Sequence, residues 1–501
     1  MSEKIHRGKI KTPPDPLVVK YLIQPGIDND IKYRYQAFLD CNKAHVLMLA
    51  KQGIVTREVA SAILKANSEM AAMGDRPDFP VDPGREDFYF NIEAHLIEEV
   101  GIEIGGQQHT ARSRNDLYAT CARLAVRKAY FEVCRAYNKM RRAVIEVAKQ
   151  NKDAVFAGYT HMQPSEPITF AHYCSGILNA MQRDFRRISL AFEGLNVCPL
   201  GGGSMGSTTW NIDRNYTSDL LGFDAPVDNS IDCVASRDFS TDILASLSIA
   251  ANTLSRFCQD LYVWASPDFG YVEVSDSCAV CSSIMPQKKN PWVLEHIKAK
   301  AAHVEGCFMS SLNVMKNVIY SHCEDMCGES TNYLFAGMDE FRVMCELMEV
   351  SIRGIAVKKE KMLETARGNF CTVTELANYL VRHDGISFRM AHDIVAEVVA
   401  YMLEHGKKAD EIGTDVVNPI FEKLFGRRTS MTDDEVRAAL DPVKIAYAKK
   451  CIGGTAPEEV ERQLESREAA LSRDNAELEA RIDRVEAAKA RLEAAVADMT
   501  A

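Results

Sequence analysis

The sequence predicts an all-α fold built around long helices. Apolar residues recur at steps of three or four in three stretches, which is the pattern of a helix that buries one face. The alternation typical of strands is almost absent. Proline and glycine cluster at the breaks between stretches, as expected of turns. Each stretch is about 25 to 35 residues long, which is typical of helical bundles.

The three long helices are predicted from their apolar stripes. The first two stripes are Tyr130, Val133, Tyr137, Met140, Val144 and Val147, and then Phe239, Ile243, Leu247, Ala250 and Leu254. The third is Val293, Ile297, Ala301, Val304, Phe308, Leu312 and Met315. We expect Asn290 to cap this third helix and Pro291 to occupy its first position.

The C-terminal segment has a different character. Thr455 to Glu458 resembles a capping box that opens a helix. Six apolar residues then recur every seven positions: Leu464, Leu471, Leu478, Val485, Leu492 and Met499. This spacing predicts either a coiled coil or an amphipathic helix that lies on the body of the protein.

Bulk composition excludes several classes of function. The chain has 501 residues and a net charge of −11, which argues against nucleic acid as the main partner. No apolar run is long enough to span a membrane, and the first seven residues lack the apolar core of a signal peptide. A soluble cytoplasmic protein is therefore expected.

Fifteen cysteines are scattered along the chain. Without a secretory signal they are predicted to be free thiols. Cys278 with Cys281, and Cys323 with Cys327, are closely spaced, but no second pair completes a four-ligand zinc site. We therefore expect neither a metal nor a cofactor.

The segment 281–291 carries hydroxyls, a cation and a carboxamide just before the third long helix. Helix N-termini offer free N–H groups and partial positive charge, and Lys288 adds a full charge. This arrangement suits a carboxylate held beside a hydroxyl. It therefore suggests chemistry at a carbon that bears a carboxylate.

Three other polar segments stand out. Residues 109–116 crowd two arginines and a serine at the start of the first long helix, which suggests an anion cradle. Residues 158–164 contain Thr160 and His161, a pair that is more often structural than catalytic when it stands alone. Residues 201–203 are three glycines without the lysine of a phosphate loop, so a tight turn is expected.

The three segments 109–116, 158–164 and 281–291 occur in an order that resembles the fumarase/aspartase superfamily. The resemblance is to its argininosuccinate lyase branch, among carbon–nitrogen lyases such as argininosuccinate lyase or ethylenediaminedisuccinate lyase. The superfamily pattern Gly-Ser-x-x-Met-x-x-Lys-x-Asn falls on Ser282, Met285, Lys288 and Asn290, with Cys281 replacing the glycine. The resemblance covers about residues 30–455, and the tail beyond looks like an addition.

The resemblance implies a three-domain lyase fold and a homotetramer whose long helices form a central bundle. Each active site would take its three segments from three subunits. We expect an N-terminal helical domain (1–115), the long-helix domain (116–365), a C-terminal helical domain (366–454) and the tail (455–501). The partners would be a small amino-acid-like substrate and fumarate.

The resemblance also implies roles for individual residues. Ser282 would be the base that removes a proton beside a carboxylate, and His161 would deliver a proton or stabilise charge. Lys288, Asn290 and Thr160 would contact the succinyl carboxylates, with Met285 in the same motif. Ser113 and Asn115 are expected nearby, with Arg112 or Arg114 neutralising charge.

The amine side departs from argininosuccinate lyase. Trp292 stands where those enzymes usually have aspartate. His322, Cys327 and Ser330 replace a tyrosine, a glutamine and a lysine, whereas Arg237 is retained. A guanidinium needs several acceptors, so the hypothesis is a carbon–nitrogen lyase for an N-substituted aspartate with a different, less polar amine. Trp292 could equally be a packing residue.

Three other functions stay open. The chain could be a true argininosuccinate lyase with an atypical pocket. It could also be a noncatalytic protein of lyase fold, although Ser282, Lys288 and His161 argue against this. The tail could act as a scaffold, which is compatible with catalysis.

Overall fold

The computed structural model describes residues 12–501, and helices dominate this part of the chain, which confirms the all-α prediction. The first seven residues, which were predicted not to form a signal peptide, lie outside the described residues. Among the described helices, we find none with a long enough apolar stretch to cross a membrane.

Nineteen α-helices follow one another in the described residues. The first nine are α1 (Pro16–Val18), α2 (Gln24–Lys51), α3 (Arg57–Ala72), α4 (Phe88–Val100), α5 (Ile102–Gly105), α6 (Arg114–Gln150), α7 (Phe170–Leu195), α8 (Arg214–Leu220) and α9 (Ser230–Ala235). The others are α10 (Asp238–Trp264), α11 (Trp292–Met315), α12 (Asn332–Arg353), α13 (Lys359–Gly368), α14 (Val373–Asp384), α15 (Phe388–Glu404), α16 (Thr414–Phe425), α17 (Asp433–Ala439), α18 (Pro442–Ala448) and α19 (Pro457–Thr500).

The strands are short and pair two by two. They are β1 (Val155–Thr160) with β2 (Gln163–Thr169), β3 (Val197–Cys198) with β4 (Ala225–Pro226), β5 (Val272–Glu273) with β8 (Ala356–Val357), and β6 (Val280–Cys281) with β7 (Lys289–Asn290). All pairs are antiparallel except β3 with β4. The pair β1–β2 contains the polar segment 158–164, and the pair β6–β7 contains most of the segment 281–291.

A bundle of long helices forms the main core. Helices α6, α7, α10, α11 and α12 pack together, and the predicted stripes of α6 and α10 are buried throughout. The stripe of α11 is buried only over its first half. Its second half is open, with Leu312 43% exposed. Part of the apolar face of α11 is therefore not covered by other described residues of this chain.

The start of α11 differs from the prediction. Asn290 lies in β7, where it pairs with Val280, and Pro291 rather than Asn290 is the N-cap. No side chain caps the helix. The carbonyl of Pro291 accepts the first hydrogen bond, from the N–H of Leu294 at 3.0 Å. The strand pairing holds Asn290 in extended backbone, so the helix begins two residues later.

Two further apolar cores flank the bundle. One joins α2, α3 and α4 to the start of α6 and to residues 198–223. The other lies among α14, α15, α16 and α17. The domain boundaries at 115, 365 and 454 stay a prediction.

The tail forms one helix, α19, that lies on the body. Leu464, Leu471 and Leu478 are buried in the main core, and Leu492 and Val496 are buried in the N-terminal core. The amphipathic-helix alternative is therefore confirmed. The heptad spacing arises because α19 runs along other helices of its own chain.

The predicted capping box of α19 is wrong. The N-cap is Ala456, without a side-chain cap, and the Thr455 hydroxyl donates to the carbonyl of Ala446 at 2.5 Å. The helix still begins at Pro457, because proline is preorganised for a first helical turn.

Acidic residues of α19 face basic residues of the body. Glu468 pairs with Arg142 and Lys149 at 2.8 and 2.6 Å, and Asp474 pairs with the buried Arg141 at 2.7 Å. Ion pairs at the surface contribute little free energy, so burial of the leucines supplies most of the free energy that holds α19 on the body. The charged pairs fix the position of α19 along its partner helices.

Candidate active site

Thr160 and His161 lie at the tip of a hairpin. Thr160 pairs with Gln163, which leaves His161 and Met162 as a two-residue turn. Both have positive φ, 54° and 58°, as a type I′ turn requires. For residues other than glycine this conformation costs roughly 1–2 kcal/mol each. His161 is exposed at this turn.

The stem of this hairpin is anchored to the C-terminal helices. Strands β1 and β2 pack against α13 and α18, and Lys449 pairs with Glu166. The tip stays uncovered, with Met162 60% exposed. The histidine is thus held on a rigid support, but no other part of the described chain covers it.

Ser282 begins a loop that is closed at its base by the pairing of β6 with β7. Its hydroxyl oxygen accepts hydrogen bonds from the backbone N–H groups of Ile284 and Met285, at 3.4 and 3.1 Å. Donors aimed at an oxygen favour its anionic form. The loop is open to solvent, with Ile284 81% exposed.

The two lysines of this loop have different surroundings. Lys289 forms ion pairs with Glu273 and Asp276, at 3.1 and 2.7 Å, and so ties the base of the loop. Lys288 is exposed and pairs with no acid in the part of the chain that the structure describes. Its ammonium is therefore free to meet an anionic ligand. Met285 is also exposed, and Asn290 is partly covered.

Ser113 starts α6 through a capping box. Its hydroxyl accepts from the N–H of Asn115, and its own N–H donates to the carboxylate of Asp116 at 3.0 Å. The amide of Asn115 donates to the carbonyl of Ser204 at 3.2 Å. Ser113 and Asn115 therefore lie where α6 begins, beside the loop that contains the three glycines.

Asp116 connects this helix start to the glycine loop. Its second carboxylate oxygen accepts from the N–H groups of Gly201 and Gly203, at 2.8 and 2.9 Å. The loop is a tight turn, as predicted. A side chain at position 202 would collide with Cys233, whose Cβ lies 2.6 Å from the place of an added Cβ. Burial raises the pKa of Asp116, and the N–H donors oppose that rise.

The two arginines of this segment are both engaged with protein groups. Arg112 is buried and donates to the Tyr89 hydroxyl at 2.9 Å, while its Nε and Nη1 have no partner among the described residues. Arg114 pairs with Asp87 at 2.5 Å and lies over the ring of Phe90. The unpaired nitrogens of Arg112 leave it the stronger source of positive potential.

The predicted amine-side residues divide into two groups. Arg237, His322 and Cys327 lie together. Burial lowers the pKa of Arg237 to about 10, and burial and then Arg237 lower the pKa of His322 to about 4. The Nε2 of His322 lies 3.6 Å from the Sγ of Cys327. Trp292 is 39% exposed at the start of α11 and meets the edge of His296, with ring centroids 4.7 Å apart.

Ser330 lies in the interior. It is fully buried, its hydroxyl donates to the carbonyl of Met326 at 2.6 Å, and its carbonyl accepts from Ser311 at 2.7 Å. The resemblance described above implied a lysine of argininosuccinate lyase at this position. In this chain the position contributes to packing between α11 and the turn before α12.

The structure assembles some predicted residues and leaves others apart. Ser113 and Asn115 both lie at the start of α6. Arg237 lies close enough to His322 to lower the pKa of its imidazole. Thr160 with His161, and Ser282 with Lys288, lie on separate exposed tips. The contacts of Asp116 with the glycine loop were not predicted from the sequence. The position of Asp116 three residues after a capping serine was the available signal for a second role.

Comparison with known proteins identifies the family. The family described as Lyase matches residues 28–306, and the family described as Argininosuccinate lyase C-terminal matches residues 370–446. Argininosuccinate lyase 1 of Shouchella clausii is 44% identical over 93% of this chain and 94% of its own length. Argininosuccinate lyase of Methanocaldococcus jannaschii is 34% identical over 97% of this chain and 98% of its own.

Solved structures agree with this result. An EDDS lyase variant with bound fumarate has a TM-score of 0.86 and 28% identity, and the match covers 100% of this chain and 98% of that one. A fumarate lyase from Mesorhizobium sp. BNC1, at 19% identity and a TM-score of 0.70, covers 87% of this chain and 97% of its own and shares the fold. The match to the EDDS lyase includes the tail. The expectation that the tail is an addition to the family is therefore wrong.

Replacing Asp116 tests its role at the helix start. In Asp116→Asn, one carboxylate oxygen becomes an N–H₂ group that faces backbone N–H donors, and each unsatisfied buried group costs about 1–3 kcal/mol. We expect a lower thermal midpoint and a higher KM. Asp213→Asn is the control, since Asp213 caps α8 and asparagine caps equally well. Equal midpoints for the two variants would contradict this role.

Proposed function

Because this chain belongs to the lyase family and carries the C-terminal domain of argininosuccinate lyase, we propose that it cleaves an N-substituted aspartate into fumarate and an amine other than arginine. The chain is a carbon–nitrogen lyase, and the relatives and the EDDS lyase structures support fumarate as its product. The noncatalytic alternative is set aside. The identity of the amine and the residue roles belong to the proposal.

Ser282 is proposed as the base that removes the proton next to a carboxylate. A serine hydroxyl is a very weak acid, so an alkoxide needs stabilisation by its surroundings. Hydrogen bonds from the N–H groups of Ile284 and Met285 support this role, because they are strengthened when the oxygen carries charge. The hydroxyl needs no rearrangement of the loop to receive them.

The proton loss places a second negative charge on the neighbouring carboxylate. Groups that bind this aci-carboxylate dianion better than the substrate lower the barrier. Lys288, without an acidic partner among the described residues, is proposed to supply a positive charge, with Asn290 and Thr160 as hydrogen-bond donors. Ser113 and Asn115 complete the succinyl side, and Met285 lines it. His161 is proposed to deliver a proton or to stabilise charge.

The proposal of an amine other than arginine rests on the residues expected to surround the amine. The observation on which it depends is the buried Ser330, where argininosuccinate lyases have a lysine, together with His322 turned to Cys327. Arg237 is shared with argininosuccinate lyase, so the difference lies in His322, Cys327 and Ser330, which offer fewer acceptors for a guanidinium. Trp292 adds apolar surface at the start of α11. These features favour an amine that is less polar than arginine.

A true argininosuccinate lyase is the second candidate. The 44% identity to the enzyme of Shouchella clausii, and similar coverage by archaeal relatives, favour it. Overall identity is an average over the whole aligned length. The choice between the two substrates depends on a few residues around Arg237.

We also propose a homotetramer in the cytoplasm, with each site shared among three subunits. The open half of α11 supports this assembly, because Met309 and Leu312 expose an apolar face that a second copy would cover. The exposed tips that carry His161 and Ser282 support sharing as well. His161 is exposed and Ser282 only partly covered within the single chain.

Removing the proposed base tests the mechanism. Ser282→Ala should lower kcat by roughly a hundred- to ten-thousand-fold, the usual contribution of a general base, with little change in thermal midpoint. Ser283→Ala is the matched control, since it removes the neighbouring exposed hydroxyl. Turnover near normal in Ser282→Ala would exclude the assignment.

The amine is found by running the reaction in reverse. Fumarate mixed with a panel of amines, arginine included, should give an adduct detectable by mass with an amine other than arginine, and kcat/KM for that adduct should exceed that for argininosuccinate. His322→Tyr with Cys327→Gln should move the preference towards arginine. Efficient and selective cleavage of argininosuccinate by the unaltered enzyme would support the second candidate instead.

Sharing of sites is tested by mixing two inactive variants. Ser282→Ala and His161→Ala chains, produced together in equal amounts, should recover about a quarter of the wild-type activity, because one half of the subunits offers each intact segment. Either variant alone stays inactive. A mixture that remains as inactive as its components would show that both residues come from one chain.

A further inference from the structure

The connection between α11 and α12 contains an unusual turn. Residues Asp325–Glu329 form a π-helical turn, in which the N–H of Ser330 donates to the carbonyl of Asp325 at 3.1 Å. Such wide turns are rare and occur often at functional sites. This turn brings Cys327 back towards His322, five residues earlier.

The distance between these two side chains fits a shared metal ion. Zinc binds sulfur at about 2.3 Å and imidazole nitrogen at about 2.0–2.1 Å, and at a tetrahedral angle these lengths place the two ligand atoms about 3.6 Å apart. The Nε2 of His322 and the Sγ of Cys327 are 3.6 Å apart. A hydrogen bond from thiol to imidazole also fits this distance.

Glu324 supplies a third ligand to the same place. Ligand atoms of His322, Glu324 and Cys327 all lie within 4.8 Å of one another. The carboxylate of Glu324 occupies space that a side chain at residue 328 would fill, since a Cβ on Gly328 would lie 2.7 Å from it. Glu324 is exposed, so its side chain can move the remaining distance towards a tetrahedral arrangement.

We propose that His322, Glu324 and Cys327 form a binding site for a divalent transition-metal ion, and that zinc is the ion their chemistry fits. Imidazole, thiolate and carboxylate together suit zinc, whereas magnesium and calcium prefer oxygen alone. A thiolate and a carboxylate balance the charge of the ion. Three protein ligands leave a fourth position open to water or to a ligand nitrogen, beside Arg237.

The site goes beyond the proposed lyase activity and differs from the expectation of no metal. Cys323 and Cys327 were predicted to be free thiols, because no second pair of cysteines completes a four-ligand zinc site. The structure brings Cys327 to an imidazole instead. The ligand set is therefore mixed, and a rule based on cysteine spacing does not find it.

Metal binding by the full-length protein tests this inference without any substrate. After treatment with a chelator and dialysis against zinc, we expect one tightly held zinc ion per chain by elemental analysis. Cobalt in its place should give the charge-transfer absorption of a thiolate ligand. Cys327→Ser and His322→Gln should each weaken zinc binding at least about tenfold, with unchanged helical circular dichroism.

Two control variants separate this site from other thiols. Cys323→Ser removes a neighbouring thiol outside the cluster, and Cys281→Ser with Cys451→Ser removes two exposed thiols. All should keep the zinc. No bound zinc, equal binding after loss of Cys327, or loss of zinc with the exposed thiols would each overturn the proposal. None of these results depends on whether the lyase reaction is correct.

Discussion

One buried carboxylate joins the parts on which the candidate site depends. Asp116 accepts three backbone hydrogen bonds, from Ser113, Gly201 and Gly203. Hydrogen bonds to a charged group contribute about 1.5–3 kcal/mol each, and here they offset part of the cost of burying the carboxylate. The same contacts fix where the longest helix of the bundle begins and where the glycine loop lies. The direction of Ser113 and Asn115 follows from that junction.

The three site segments are held by three different devices. Ser113 is the N-cap of a helix, and His161 lies in the tight turn of a hairpin. Ser282 lies in a loop whose two ends are paired as short strands. Each device rests on a rigid element, which suits catalytic groups that need fixed positions. Each also leaves its residue at the surface of the single chain. The proposed tetramer would enclose a site of this kind.

The proposed amine side differs locally from argininosuccinate lyase, whereas the helical framework is that of the family. Ser330 is packed into the interior, and the turn that follows His322 is wound as a π-helix. In the proposed mechanism, the backbone N–H groups around Ser282 and the ammonium of Lys288 act on the succinyl side and not on the amine. Under this proposal, changes near Arg237 would alter the leaving group without disturbing proton removal.

The helical class was predictable from the sequence alone, as were the buried stripes of α6 and α10 and the motif residues from Ser282 to Asn290. Periodicity and motif spacing are local properties, so a single chain displays them. Tertiary structure decided what the stripes pack against. The heptads of α19 lie on α6 and α7, and half of α11 faces outward. The hydrogen bonds of Asp116 with the glycine loop join segments that are distant in sequence, so no sequence pattern predicts them. The proximity of His322 and Cys327 depends on a π-helical turn, which also has no periodic pattern in the sequence.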